Sequence, residues 1–299
     1  MFVCHACSTL GLANAPSSAD PMIRKPPAAT PSRSVLFADI LGFSTLTEQN
    51  QIDSERLYAR DRPFVWSVDD ILNEPKNPLT HAYWSFHHAL KWAIRTADMS
   101  HALTAISFSD SAFIATDCLF EAANIAITLS QSMLSQGVPI RMGLAFGSFL
   151  ALRFRSDIGL DGGDHAAQFL GSAIVRSHQA EGCGIKGMRI LLHPSVEPLL
   201  VDSTHNPDGT PHVTWIECSK AEQEKARQTG VRYELNYWDS VPGKSQKAWR
   251  GLQDMWATAP DSASEHYQAT AEAINRMRVA QGESPLTNLR RLRLPRRRG

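Results

Sequence analysis

The sequence predicts an α+β sandwich in which helices cover one face of a mainly antiparallel sheet. Three observations carry that reading. Two pairs of short apolar runs fold back on themselves about tight polar turns, at Ser109-Asp110-Ser111 and at Gly147-Ser148, as antiparallel partners do. Residues Leu119 to Leu134 place Phe120, Ala123, Ile127 and Leu134 near helical spacing, with Gly137 just past the end. The order strand, helices, hairpin, helix, strand pair, helix, strands mixes the two element types along the chain.

Each element has a local reason. Residues 1–32 are poor in large apolar side chains and rich in Pro, Ala and Ser, which predicts disorder. Val35 to Ile40 is an apolar strand; Gly42 breaks it, and Ser44 offers an N-cap for a helix over "TLTEQ". An aromatic-rich insertion predicts a helix from about Thr80 to Ser100, and "TAISFSDSAFIATD" supplies the hairpin. "VPIRMGLAFGSFLALRF" gives the second strand pair, "SDIGLDGGD" a polar glycine-rich loop, and "HAAQFLGSAIVRSHQAEG" a helix. "MRILLHPSV", "VTWIEC" and "RYELNYWDS" read as late strands, and Trp249, Leu252 and Trp256 form a helical packing stripe. The expected organisation is a leader over 1–32, one domain over 33–241, and over 242–299 a helical extension ending in an Arg-rich tail.

Composition narrows the function classes. The chain has 299 residues, 43% of them hydrophobic, and its 30 basic and 30 acidic residues balance, so overall charge does not point to nucleic acid. No apolar run reaches the ~20 residues of a membrane-spanning helix, and the N-terminus lacks the basic start of a signal peptide, so a cytoplasmic protein without membrane contact is expected. Five scattered cysteines suit reduced thiols better than a disulfide framework. Cys4 and Cys7 have the spacing of half a zinc site but no second pair.

One residue does not fit a plain core strand. Asp39 sits inside "SVLFADILGFSTL", and a buried unpaired carboxylate costs several kcal/mol unless a partner or cation answers it. A second carboxylate, Asp110, stands at the hairpin tip. Three segments in order, "VLFADILGFSTL", "ISFSDSAFIA" and "IRMGLAFGSF" followed by "FLGSAIVRSHQAEG", resemble the motifs of the class III nucleotidyl cyclases over roughly Ser34 to Asp239. The resemblance implies a ferredoxin-like sandwich that turns a nucleoside triphosphate into a cyclic mononucleotide and pyrophosphate with two divalent cations, Mn2+ or Mg2+. It makes Asp39, Asp110 and the Ile40 carbonyl the metal ligands, with Asp39 beside metal and not beside a basic side chain. It gives the turn Leu41-Gly42-Phe43-Ser44 to phosphate, and it implies a homodimer with composite active sites.

Departures from the family pattern shape the rest. Ser109 stands where a glycine is usual before the hairpin aspartate, Val175 where an asparagine orients the ribose, and Gln179 where an arginine meets the transition state. Arg176 lies close to both helix positions and is the candidate replacement; Arg141 matches a common family arginine and is read as structural. The positions that read a purine hold Ile106 and Gln168. Isoleucine cannot hydrogen-bond a base edge, whereas Gln168 offers a donor and an acceptor that suit uracil or cytosine. With this pattern the chain resembles the bacterial pyrimidine cyclases of Pycsar anti-phage systems, with UTP favoured over CTP. A purine cyclase and a catalytically dead nucleotide-binding module are the alternatives.

Overall fold

The computed structural model describes residues 30–50, 77–97, 102–153, 167–200, 213–238 and 244–286. The leader, Cys4 and Cys7, the "SDIGLDGGD" loop and the Arg-rich tail lie outside them. The seven-stranded sheet is built from β1 (Ser32–Ile40), β2 (Leu103–Ser107), β3 (Ser111–Thr116), β4 (Ile140–Ser148), β7 (Ile190–Leu192), β8 (Trp215–Glu217) and β9 (Tyr233–Leu235). Its order is β2-β3-β1-β4-β7-β9-β8, antiparallel at every pair except β4–β7. The first four strands have the ferredoxin-like arrangement, with β1 between β3 and β4. Strands β5 (Leu150–Arg153) and β6 (Ala167–Leu170) form a separate two-stranded ribbon.

Period-two alternation on β1 divides the molecule into two faces. Leu36, Ala38 and Ile40 enter the main core. There they meet α2 (Pro78–Thr96), α3 (Leu119–Ser135), α7 (Lys244–Thr258) and α8 (Ser264–Ala280), through residues such as Phe86, Ile125, Leu252 and Ile274. The helical stripe at Leu252 and Trp256 is therefore core, in the same cluster as the central strands. Val35 and Phe37 face the other way, toward α4 (Ser172–Glu181) and β6.

Helices thus lie on both faces, where the sequence predicted one. Gly143 explains how α4 sits so close: a Cβ there would collide with the Ser177 carbonyl. Three local expectations also change. Gly42, in the left-handed region at φ 76°, is the N-cap of α1 (Phe43–Gln49), so Ser44 lies inside the helix and does not cap it. Residues Ala167–Leu170 pair with β5 and are strand, not helix; only after Gly171 does α4 begin. Strand β4 runs through Gly147 to Ser148, and β5 then leaves for the small ribbon, so the two do not form a hairpin. The short helices α5 (Glu197–Leu200) and α6 (Lys220–Lys225) complete the fold. Helix α6 is announced by a capping box, Ser219 with Glu222. Among the described residues, no helix is long and apolar enough to cross a membrane.

Candidate functional site

The two carboxylates meet at one end of the central strands. Asp39 lies opposite Ser111 in the β1–β3 pair, and the Ile40 N–H donates to the Asp110 carbonyl at 3.0 Å, which presses the hairpin tip against the end of β1. The tip is a two-residue loop, Ser109-Asp110, closed by the Phe108 N–H donating to the Ser111 carbonyl at 2.7 Å. The Ser109 hydroxyl donates to Asp110 Oδ1 at 3.2 Å. Beyond Ile40, the Leu41 N–H donates to the Pro139 carbonyl and Gly42 turns the chain. No side chain caps the first turn of α1, while Phe43 packs on the main core and Ser44 is exposed.

Electrostatically this end of the sheet is short of positive charge. Burial pushes the Asp39 carboxyl up, the negative charges of Glu181 and Asp110 push it further, and Arg141 opposes them; the result is about 7. Asp39 does have a basic neighbour, contrary to the sequence expectation, because Arg141 lies directly opposite it in the β1–β4 pair. The guanidinium, however, is committed elsewhere. Arg141 Nε donates to Glu181 Oε1 at 2.7 Å, a second nitrogen pairs with the same oxygen, and Nη1 donates to the Ile185 carbonyl at 3.4 Å. Glu181, at the end of α4, is a member of this cluster that sequence reasoning missed, since its partner is 40 residues away and nothing local marks the pair.

The remaining candidates fall into two places. Ile106 is opposite Phe113 in the β2–β3 pair, and Phe113 stacks at 5.2 Å on Phe169, the residue after Gln168. The backbone of Gln168 pairs with Leu152. The backbones at the two positions expected to read the base, 106 and 168, thus both adjoin the Phe113–Phe169 contact. Arg176 is elsewhere: its Nη1 donates to the Phe146 carbonyl at 3.0 Å. Phe146 is five positions along β4 from Arg141, which corresponds to ~17 Å at about 3.4 Å per residue. Within one chain, Arg176 does not join Asp39 and Asp110. Val175 and Gln179 lie on the exposed side of α4.

A divalent cation fits the Asp39 end by its donor set. Among the described residues no group of three or more His, Cys, Asp or Glu is placed to hold a metal. Magnesium-like ions commonly take only one or two carboxylates and complete their shell with substrate phosphate and water. Asp39, Asp110 and the adjoining Ile40 peptide match that pattern, and the raised Asp39 marks a site where positive charge is wanting.

No protein-family model matches the chain, and no curated protein matches it. Among solved structures it is similar to the guanylyl cyclase Cya2, at 9% identity over 71% of this chain and 95% of that one, with a TM-score of 0.41. It is also similar to a bacterial light-regulated adenylyl cyclase, at 15% identity over 74% and 97% of the two chains, with a TM-score of 0.41. A third is the guanylate cyclase domain of RhGC from Catenaria anguillulae in complex with GTP, at 12% identity over 69% and 96%, again with a TM-score of 0.41.

Proposed function

We propose that the chain is a metal-dependent nucleotidyl cyclase that converts a pyrimidine nucleoside triphosphate, UTP in preference to CTP, to the 3′,5′-cyclic mononucleotide and pyrophosphate. The observation that carries the reading is the junction of Asp39 and Asp110 at the end of β1, with Asp39 raised to about 7 and Arg141 turned to Glu181. A bound pair of divalent cations, Mn2+ or Mg2+, would lower the pKa of the ribose 3′-hydroxyl and neutralise the triphosphate. The chain's own residues have three tasks. Asp39, Asp110 and the Ile40 carbonyl would hold the cations, and in the uncapped turn Leu41-Gly42-Phe43-Ser44, where the Leu41 N–H already serves Pro139, the N–H groups that follow would meet phosphate. Ile106 fills the space a purine would need, and Gln168 reads the pyrimidine edge.

The distance of Arg176 from Asp39 supports a homodimer, in which α4 of one subunit would serve the carboxylates of the other. The exposed apolar side chains Phe108, Leu150, Leu170 and Val175 would be candidates for cover in such an assembly. A role in bacterial anti-phage signalling follows from the sequence resemblance to the Pycsar cyclases. The alternative of a dead nucleotide-binding module is favoured by one observation, the engagement of Arg176 with the Phe146 carbonyl.

The test is a competition in which the purified protein meets equal concentrations of ATP, GTP, CTP and UTP with Mn2+. Cyclic UMP should dominate, with cyclic CMP next. Predominant cyclic AMP or cyclic GMP would overturn the pyrimidine assignment, and no cyclic product at all would leave the nucleotide-binding module.

A further inference from the structure

Glu181 is a carboxylate that its own helix does not call for. It is the last residue of α4, where the helix dipole disfavours negative charge, and it is buried. Backbone packing fixes its place. A Cβ at Gly143 of β4 would collide with the Ser177 carbonyl and lie 2.6 Å from the Glu181 nitrogen, so the end of α4 rests directly on the strand. Arg141 stands two residues before Gly143 and shares its face of β4, which brings Glu181 onto Arg141.

Arg141 has two carboxylates within reach. Asp39 lies directly opposite it in the β1–β4 pair, where Cβ atoms stand about 5 Å apart, less than an arginine side chain spans. Phe37, two residues before Asp39 and on its face of β1, meets His178 of α4 with ring centroids 5.2 Å apart, so Asp39, Arg141 and Glu181 share one side of the sheet. The guanidinium nonetheless goes to Glu181. Its Nε donates to Oε1 at 2.7 Å, a second nitrogen pairs with the same oxygen, and Nη1 donates at 3.4 Å to the Ile185 carbonyl in the loop after α4. Among the described residues, no ion pair joins Arg141 to Asp39. An arginine on Asp39 would occupy its lone pairs and put positive charge where a metal must sit. We propose that Glu181 is a positioning residue for the cation site: by holding the Arg141 guanidinium it keeps Asp39 open to a divalent cation. Without Glu181, Arg141 turns to Asp39 and closes the site with a salt bridge. The inference rests on the assignment of Asp39 as a metal ligand.

The experiment measures Mn2+ binding to the full chain by electron paramagnetic resonance, with no nucleotide and no turnover. Wild type should bind, and Asp39→Ala should abolish binding; failure of either would sink the metal assignment and this inference with it. If both hold, Glu181→Met, which keeps the bulk of the side chain but frees Arg141, should weaken Mn2+ by about tenfold or more, as an arginine lodged on a carboxylate does to a competing proton. Loss of the Glu181 charge by itself, screened by water, is worth about threefold or less. The same substitution is therefore repeated in Arg141→Gln, which leaves an N–H donor for Glu181 but no cation to intrude. There Glu181→Met should cost no more than that threefold, the non-additivity expected of residues that act on one another. Wild-type affinity in Glu181→Met, or equal weakening with and without Arg141 in variants of equal melting temperature, would overturn the role of Glu181 alone. Should Arg141→Gln not fold, Arg141→Met replaces it as the background.

Discussion

The molecule withdraws charge from water in two places, one fully buried and one half-buried, and treats it in opposite ways. At the far edge of the sheet, Arg189 and Glu234 are completely buried and paired, and Glu222 and Arg276 close the set into a ring of two cations and two anions. Burial alone would push Glu222 up, but the Arg189 charge and hydrogen bond, the Ser219 N–H and Arg276 outweigh it and hold the carboxyl at about 2. Cys218 beside them is driven the other way, to about 12, by burial and then by Glu234, which leaves it an inert thiol. At the Asp39 end, three carboxylates share one arginine, and that arginine serves Glu181. The desolvation that the far network answers with arginines is, in milder form, left unanswered at half-buried Asp39. A carboxylate lowered by partners reads as structure, whereas one raised by burial and then by like charges reads as a place for a cation.

That contrast can be broken from either side. The largest effect should come from the site. Asp39→Ala or Asp110→Ala should cut cyclase turnover by roughly 10⁴-fold, about 5 kcal/mol of transition-state stabilisation, because each removes an anchor for cations that neutralise the triphosphate. Circular dichroism should report an unchanged fold, since removing an uncompensated anion leaves no orphan behind. Near-parental turnover in either variant would refute the assignment. The far network should respond in the reverse sense. Arg189→Ala leaves Glu234 buried with a weakened set of partners, and a cut of this kind costs ~3–5 kcal/mol of stability. Denaturant unfolding measures it, and a loss below ~1 kcal/mol would mean that the network does not hold the edge strands.

The two regions also differ in how far the sequence foretold them. Strand β1, the hairpin and α3 are readable because apolar periodicity and turn residues are local signals, whereas the pairing of Asp39 with Asp110 comes from the resemblance to the class III cyclases and not from spacing. The segment "AAQFL" reads as helix because it has no strand periodicity of its own; the partner that makes it a strand is β5, on the far side of a polar, glycine-rich stretch of sequence. The Arg189 ring is invisible in the sequence, as its members come from three separate elements and the residue before β7, with no common spacing. Glu181 is hidden for the same reason, while the capping box of α6 is a local signal in the sequence. The placement of α4 on the opposite face could have been suspected from Gly143 and Gly147 on one face of β4, where a helix backbone approaches closely.

The central claim is that Asp39 lacks a compensating charge until a cation arrives, and its own titration tests that most directly. Carbon-13 NMR of the full chain with labelled aspartate carboxyls, assigned through the missing signal in Asp39→Asn, follows Asp39 as pH is raised. Without divalent cations the folded protein should hold this proton well above the ordinary value of 3.8, to about 7. Ionising it then works against the fold, a penalty absent below pH 4 and complete above pH 7. With Mg2+ added, the cation favours the charged form and the midpoint should fall by a unit or more. A midpoint near 4 without metal, or one that Mg2+ does not move, would contradict the account.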